Sequence, residues 1–289
     1  MMEHAVTVRA LRKSYGGREV LHGIDLCVRR GEIFALLGAN GAGKTTTLEC
    51  LEGVRRCDAG EIRIEGGRGV QLQSASLPKN LRAGEALALF SRWAGAAVDR
   101  DQLARLGIDA FEKRQYRELS TGQKRRLHLA LALVGNPEVL FLDEPTAGLD
   151  VEGRAALHAE ILRLRDRGAT ILLASHDMAE VAQLCDRIAI LKEGEIAFLG
   201  TAAELTRQNS AAARLRVRFS AAPELQGCRA CRLCGEEHGE MILEAPDLTA
   251  ALAELAALAS QQEAQILDVA TEHASVEERF LDIAREGTA

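Results

Sequence analysis

Glu32-Ile33-Phe34-Ala35-Leu36-Leu37-Gly38-Ala39-Asn40-Gly41-Ala42-Gly43-Lys44-Thr45 is the stretch that decides the fold. The apolar run to Leu37 reads as a buried strand, Gly38 to Thr45 fits GxxxxGK[ST], and a helix is expected from Thr45 to about Gly53. In that order the three pieces make a cradle for polyphosphate. Backbone N–H groups of the loop point inward, and the helix N-terminus adds positive potential. Lys44 is then placed to bridge β and γ phosphates, and the Thr45 hydroxyl to ligate Mg²⁺.

Working outward, residues 5 to 9 and 24 to 28 read as short strands around a Gly16-Gly17 turn, and 61 to 64 alternate as another strand. Gly66, Gly67 and Gly69 then break the chain before Val70-Gln71-Leu72-Gln73. Residues 84 to 118 lack strand periodicity and read as an inserted helical subdomain, spanning about 78–136 with its flanks. Helix and strand then alternate over 123 to 134, 138 to 142, 151 to 167, 169 to 174, 177 to 185 and 187 to 191. That alternation predicts a layered α/β sheet with parallel strands. The strand over Val139 to Leu142 ends at two acids that Pro145 closes off. Asp143 is expected to hold the metal and Glu144 to orient and deprotonate an attacking water.

Between these motifs lies Leu119-Ser120-Thr121-Gly122-Gln123, which resembles the LSGGQ signature of ABC-family ATPases. The resemblance covers about residues 4 to 200 and implies a P-loop ABC-type nucleotide-binding domain that hydrolyses ATP with Mg²⁺. Gly38, Asn40, Gly41, Gly43, Lys44, Thr45 and Thr46 would then contact nucleotide. Gln73 matches the Q-loop glutamine, at the metal and the attacking water; Asp150 matches the D-loop; His176 matches the switch histidine at the γ-phosphate. Tyr15 matches the aromatic that stacks on adenine, though a ring beside a turn can equally serve packing. In the family the signature residues, here Ser120, Gly122 and Gln123, complete the site of an opposing subunit, so the chain is expected to pair with a second copy of itself around ATP. Thr121 stands where the family usually has glycine. The segment between residues 64 and 70 is shorter than is general in the family, implying a different shape beside Gln73.

The 289 residues suit an ATPase domain over 1–206 and a small α+β accessory domain over 207–289. In the second, strands are expected at 214 to 219, 239 to 244 and 265 to 270, with a helix whose Leu248, Leu252, Leu255 and Leu258 share one face. Ser275-Val276-Glu277-Glu278 has the form of a capping box opening a last helix. Residues 1 to 206 carry 28 Lys and Arg against 28 Asp and Glu, while 207 to 289 carry 8 against 14, so the tail is a poor nucleic-acid binder. Seven cysteines argue against a disulfide framework. Cys228, Cys231 and Cys234 with His238 offer four ligands for a closed zinc site; redox sensing and plain reduced cysteines are the other readings.

No apolar run is long enough to span a membrane and the N-terminus does not read as a signal peptide, so a cytoplasmic chain attached to the membrane through a permease is expected. The tail resembles the C-terminal extension of the drug-resistance and antibiotic-exporter branch. The sequence therefore reads as the ATPase subunit of an ABC exporter. Its rival is a soluble ABC ATPase acting on ribosomes or DNA, for which a second cassette or sustained heptads would be needed.

Overall fold

A computed structural model describes residues 4–71, 76–207, 213–223, 225, 228–272 and 276–285. It separates into two compact units, Met1–Ala202 with Asp282–Ala289, and Ala203–Leu281.

The first unit begins with two long strands, β1 (His4–Tyr15) and β2 (Arg18–Arg29). Gly16 and Gly17 join them with φ of 56° and 85°, the two positive values that a two-residue hairpin turn of the correct twist requires. Both strands are longer than the expected five residues. Register shifts between Val8 and Leu11, with Ala10 at φ 47°, interrupt the period-two alternation that marks a strand in sequence. Next come β3 (Ile33–Gly38), α1 (Lys44–Glu52), β4 (Ala59–Ile64) and β5 (Arg68–Gln71). A layer of order β2-β1-β4 is thereby formed. The short link after β4 carries the chain directly from this layer into the main sheet.

Helices α2 (Ala83–Ala94) and α3 (Arg100–Arg105) form the insert, followed by a 3-10 turn at Tyr116–Glu118 and α4 (Thr121–Ala132). Within the helical insert expected over 84 to 118, Gly95 and Gly107, both left-handed at φ 62° and 63°, end α2 and α3. On α3, Arg105 reaches the buried Glu160 carboxylate with Nε at 2.9 Å and Nη2 at 3.3 Å. Glu160 lies on α5, which spans Val151–Asp166 after β6 (Val139–Asp143), so this forked pair ties the insert to the sheet layer. Then follow β7 (Thr170–Ala174), α6 (Met178–Leu184), β8 (Arg187–Lys192) and β9 (Glu195–Gly200).

The main sheet runs β5-β6-β7-β3-β8-β9, parallel except for β9. Its central strands β3, β6 and β7 are buried at every residue, as expected where both faces are covered. This is the expected P-loop α/β fold. It places the C-terminal ends of β3, β6 and β7 side by side, where ligands bind in such sheets.

The chain continues with α7 (Ala202–Arg207), β10 (Ala213–Phe219), β11 (Arg232–Glu237), β12 (Glu240–Ala245), α8 (Leu248–Gln261), β13 (Ile266–Glu272) and α9 (Val276–Arg285). Among the described residues the second unit's sheet has the order β11-β12-β10-β13 and is antiparallel. Strand β11 was not foreseen, because its sequence is mostly polar and a register shift between Leu233 and Gly235 disrupts its alternation. On α8 the buried seam is Ala251, Leu255 and Ala259, while Leu252 and Leu258 are half-buried. Ser275 of the expected capping box lies outside the described residues.

Candidate functional site

The glycine loop leaves β3 and turns sharply into α1. Gly43 has φ 106°, and a Cβ there would stand 2.7 Å from Leu21 Cδ2, so only glycine fits. Its carbonyl accepts from the backbone of Thr47 at 2.8 Å and from the Thr47 hydroxyl at 2.9 Å, starting the helix in register. Lys44 lies along the loop and donates from Nζ to the carbonyls of Gly38 at 2.5 Å and Ala39 at 3.1 Å. Burial draws its ammonium below the usual lysine range, and the charges of Glu144 and Asp143 oppose that shift.

An open cavity of about 290 Å³ lies over the loop, lined by Val20, Asn40, Gly41, Gly43, Lys44, Thr45 and Thr46 and, from the end of β6, by Asp143 and Glu144. The fold thus gathers residues about 100 positions apart in sequence, and adds Val20, which carries no polar signal. Asp143 is buried, and its carboxyl is pushed above the usual carboxylate range, first by that burial and then by Glu144. A divalent cation would relieve both effects. The oxygens of Asp143 and Thr45 on one cavity wall are the hard donors that Mg²⁺ takes.

Glu144 occupies the left-handed region at φ 48°, a strained setting for a non-glycine residue. Its N–H donates to Ala174 O at 2.9 Å, extending the β6–β7 ladder, and its Oε1 is 2.8 Å from His176 Nδ1. The expected base and the expected switch histidine are therefore in direct contact.

Glu180, which the sequence reading passed over, lies beneath them. Its carboxylate is fully buried: Oε2 accepts from Ser175 Oγ at 2.7 Å and Thr146 Oγ1 at 3.2 Å, and Oε1 meets His158 Nε2 at 3.1 Å. Three segments converge on it: the residue before His176, the loop after Glu144, and α5. Although only four residues after His176, this acid leaves no mark in sequence beyond one charge on a short helix, because its partners Thr146 and His158 are distant along the chain. Glu180→Ala would orphan two buried hydroxyls, of Ser175 and Thr146, and the half-buried His158, costing about 1–3 kcal/mol of stability. Thermal melts and phosphate release should show a lower Tm and a turnover reduced about tenfold or more, with nucleotide affinity changed only a few-fold. Unchanged turnover would remove Glu180 from the positioning network.

The signature residues do not line this cavity. Ser120 caps α4, its Oγ accepting from Gln123 N at 3.2 Å while Gln123 Oε1 accepts from Ser120 N at 3.0 Å. A Cβ on Gly122 would lie 3.2 Å from Leu149 Cδ2, and one on Gly148 would lie 3.1 Å from Thr121 Cγ2. The loop therefore rests on the segment leading to Asp150, which itself caps α5 by accepting from Gly153 N at 2.8 Å. Tyr15 is likewise not on the cavity wall; its ring, 40% exposed, faces Arg55 Cζ at 5.2 Å and Lys13 Nζ at 5.6 Å. Gln73 lies outside the described residues.

In the second unit the four candidate zinc ligands are not brought together, and no group of three or more metal-ligating side chains exists among the described residues, so the reading of plain or redox cysteines stands over the zinc site. Cys228 and Cys231 meet at 2.9 Å, but Cys234 is exposed beside Glu244 and His238 stands exposed in the β11–β12 turn. The chain enters β11 between Cys231 and Cys234, and the extended backbone carries the third thiol away from the first two.

The chain matches the ABC transporter family over residues 21–147. It is 38% identical over 224 residues to the daunorubicin resistance ATP-binding protein DrrA3 of Streptomyces coeruleorubidus, covering 71% of each chain. With the Nod factor export ATP-binding protein I of Paraburkholderia xenovorans it shares 40% identity over 212 residues, 67% of this chain and 70% of that one. The spermidine/putrescine import ATP-binding protein PotA of Mesoplasma florum is 36% identical over 219 residues, 70% of this chain and 63% of the relative. Among solved structures, an ATP-binding subunit of an ABC transporter superposes with a TM-score of 0.66 at 27% identity, covering 71% of this chain and 92% of that one.

Proposed function

This chain belongs to the ABC transporter family of ATP-binding proteins, and we propose that it is the ATPase subunit of an exporter, driving a separately encoded membrane permease. It is an ATPase. The observation that carries the reading is the meeting, at the ends of β3, β6 and β7, of a phosphate-binding loop with Asp143, Glu144 and His176.

Lys44 and the loop amides would hold the β and γ phosphates of ATP. Thr45, Asp143 and, by its match to the Q-loop glutamine, Gln73 would hold Mg²⁺, which when bound neutralises phosphate charge. Glu144 takes the proton of the attacking water, and its contact with His176 keeps the carboxylate aimed. Ser120, Gly122 and Gln123 line no part of the cavity in their own chain, which supports a role across an interface with a second copy, in line with Asp150. The adenine ring would stack on Tyr15.

The exporter direction is supported by the names of the relatives from Streptomyces and Paraburkholderia. No helix among the described residues is long and apolar enough to cross a membrane, so attachment at the cytoplasmic face would come through the permease. Co-expression with a candidate permease, a multi-helix membrane protein if one is encoded beside this chain, tests this: the chain should move from the soluble to the membrane fraction, with near-equal stoichiometry. Recovery in the soluble fraction alone, with the membrane protein correctly inserted, would count against the transport assignment.

A further inference from the structure

The loop Cys228-Arg229-Ala230-Cys231 has no part in ATP hydrolysis as described above. Its two sulfurs are 2.9 Å apart, nearer than the about 3.8 Å that two thiolates span across a tetrahedral zinc with Zn–S bonds of about 2.3 Å. The loop is held to α8 by one carboxylate. Glu254 accepts from Ala230 N at 2.7 Å, from Arg229 N at 3.1 Å and from Cys228 Sγ at 3.5 Å. Those backbone N–H groups, Ala230 first, hold the Glu254 carboxyl below its usual range. Underneath, Cys231 is 8% exposed in the core formed with Leu215, Met241, Ala251 and Leu255, while Cys228 is half-buried. The sulfurs are thus asymmetric, with one reachable and the other sheltered behind it.

We propose that Cys228 and Cys231 form a redox-active dithiol, oxidised to an internal disulfide by small-molecule disulfides of the glutathione type. The Cys228 thiolate attacks one sulfur of the small disulfide, forming a mixed disulfide and releasing one thiolate. Cys231 gives up its proton and attacks the Cys228 sulfur, so the Cys228–Cys231 bond forms and the second small thiolate leaves. Two protein thiols are oxidised, one small disulfide is reduced to two thiols, and the two protons end on the released thiolates. Burial, and secondarily the Cys228 contact, push the Cys231 thiol up to about 12, which keeps it from acting as the entry point. Glu254 contributes by fixing the turn that keeps the sulfurs in reach. Cys234 takes no part.

The test uses the full chain equilibrated with defined ratios of reduced and oxidised glutathione, quenched by alkylation and read by mass spectrometry. After alkylation the oxidised chain should carry two fewer alkyl groups than the reduced chain. Trypsin cuts after Arg218, Arg229 and Arg232, so the fragments Phe219–Arg229 and Ala230–Arg232 should be recovered joined. The equilibrium constant should exceed that of the same chain unfolded in guanidinium by about tenfold or more, since the fold presents the sulfurs already paired. Cys231→Ser should accumulate a glutathione adduct on Cys228, and Cys234→Ser should behave as the parent. A lasting adduct on Cys228 of the unmutated chain with Cys231 free, or equal constants in the native and unfolded chains, would overturn the assignment.

Discussion

Glu144→Gln should bind Mg-ATP, pair with a second copy of itself and fail to turn over, with phosphate release reduced about 10²–10⁴-fold. The amide keeps the shape of the carboxylate, so the 2.8 Å contact with His176 and the strained φ of 48° can persist while proton acceptance is lost. Without hydrolysis the pair is not released. Ser120 and the Gly122 N–H of one chain would each bond to the γ-phosphate held by the other, and bonds of this charge-assisted kind contribute about 1.5–3 kcal/mol each. Two sites act together, so ATP should favour association over ADP by several powers of ten. Sedimentation with Mg-ATP reads this directly. Ser120→Arg in the same background should return the monomer and still bind nucleotide, at a cost of about 1 kcal/mol for the lost cap on α4. A monomer of the Glu144→Gln chain with ATP demonstrably bound would count against a two-chain site.

Lys44→Ala is expected to weaken ATP binding about tenfold to a hundredfold and to lower phosphate release by more than the loss of affinity accounts for. Its ammonium donates to the Gly38 and Ala39 carbonyls and burial disfavours its charge, so the negative charge of bound phosphate would stabilise it. His176→Ala contrasts with it. That change removes the contact that aims Glu144 but no phosphate-loop contact, so turnover should fall while nucleotide affinity stays within a few-fold. Equilibrium binding of a fluorescent nucleotide, set beside phosphate release, separates the two. Equal effects of both substitutions on affinity would undo the division of roles.

Periodicity and glycine placement made the parallel sheet legible, because β3, β6 and β7 are short apolar runs bounded by loops that only a doubly covered strand tolerates. The outer strands were harder to see. β9 at one edge of the main sheet and β11 in the second unit went unnoticed, since an edge strand buries less and its sequence can be polar or bulged. The same limit applies at the cysteines: a spacing of three residues says nothing about which face each thiol takes once the chain straightens into β11.

By itself the sequence determined the chemistry on offer: a glycine-rich loop between a strand and a helix, a lysine and a threonine opening α1, and two acids ending β6. Those are local properties, set by steric freedom and residue type within a few positions. Tertiary structure alone decided how they act together. The left-handed turn at Glu144, its contact with His176, the buried Glu180 under both, and the pairing of Cys228 with Cys231 but not with Cys234 all depend on segments distant in sequence or on the direction each side chain takes. Close packing fixes these relations through the whole fold at once, and no window of neighbouring residues contains them.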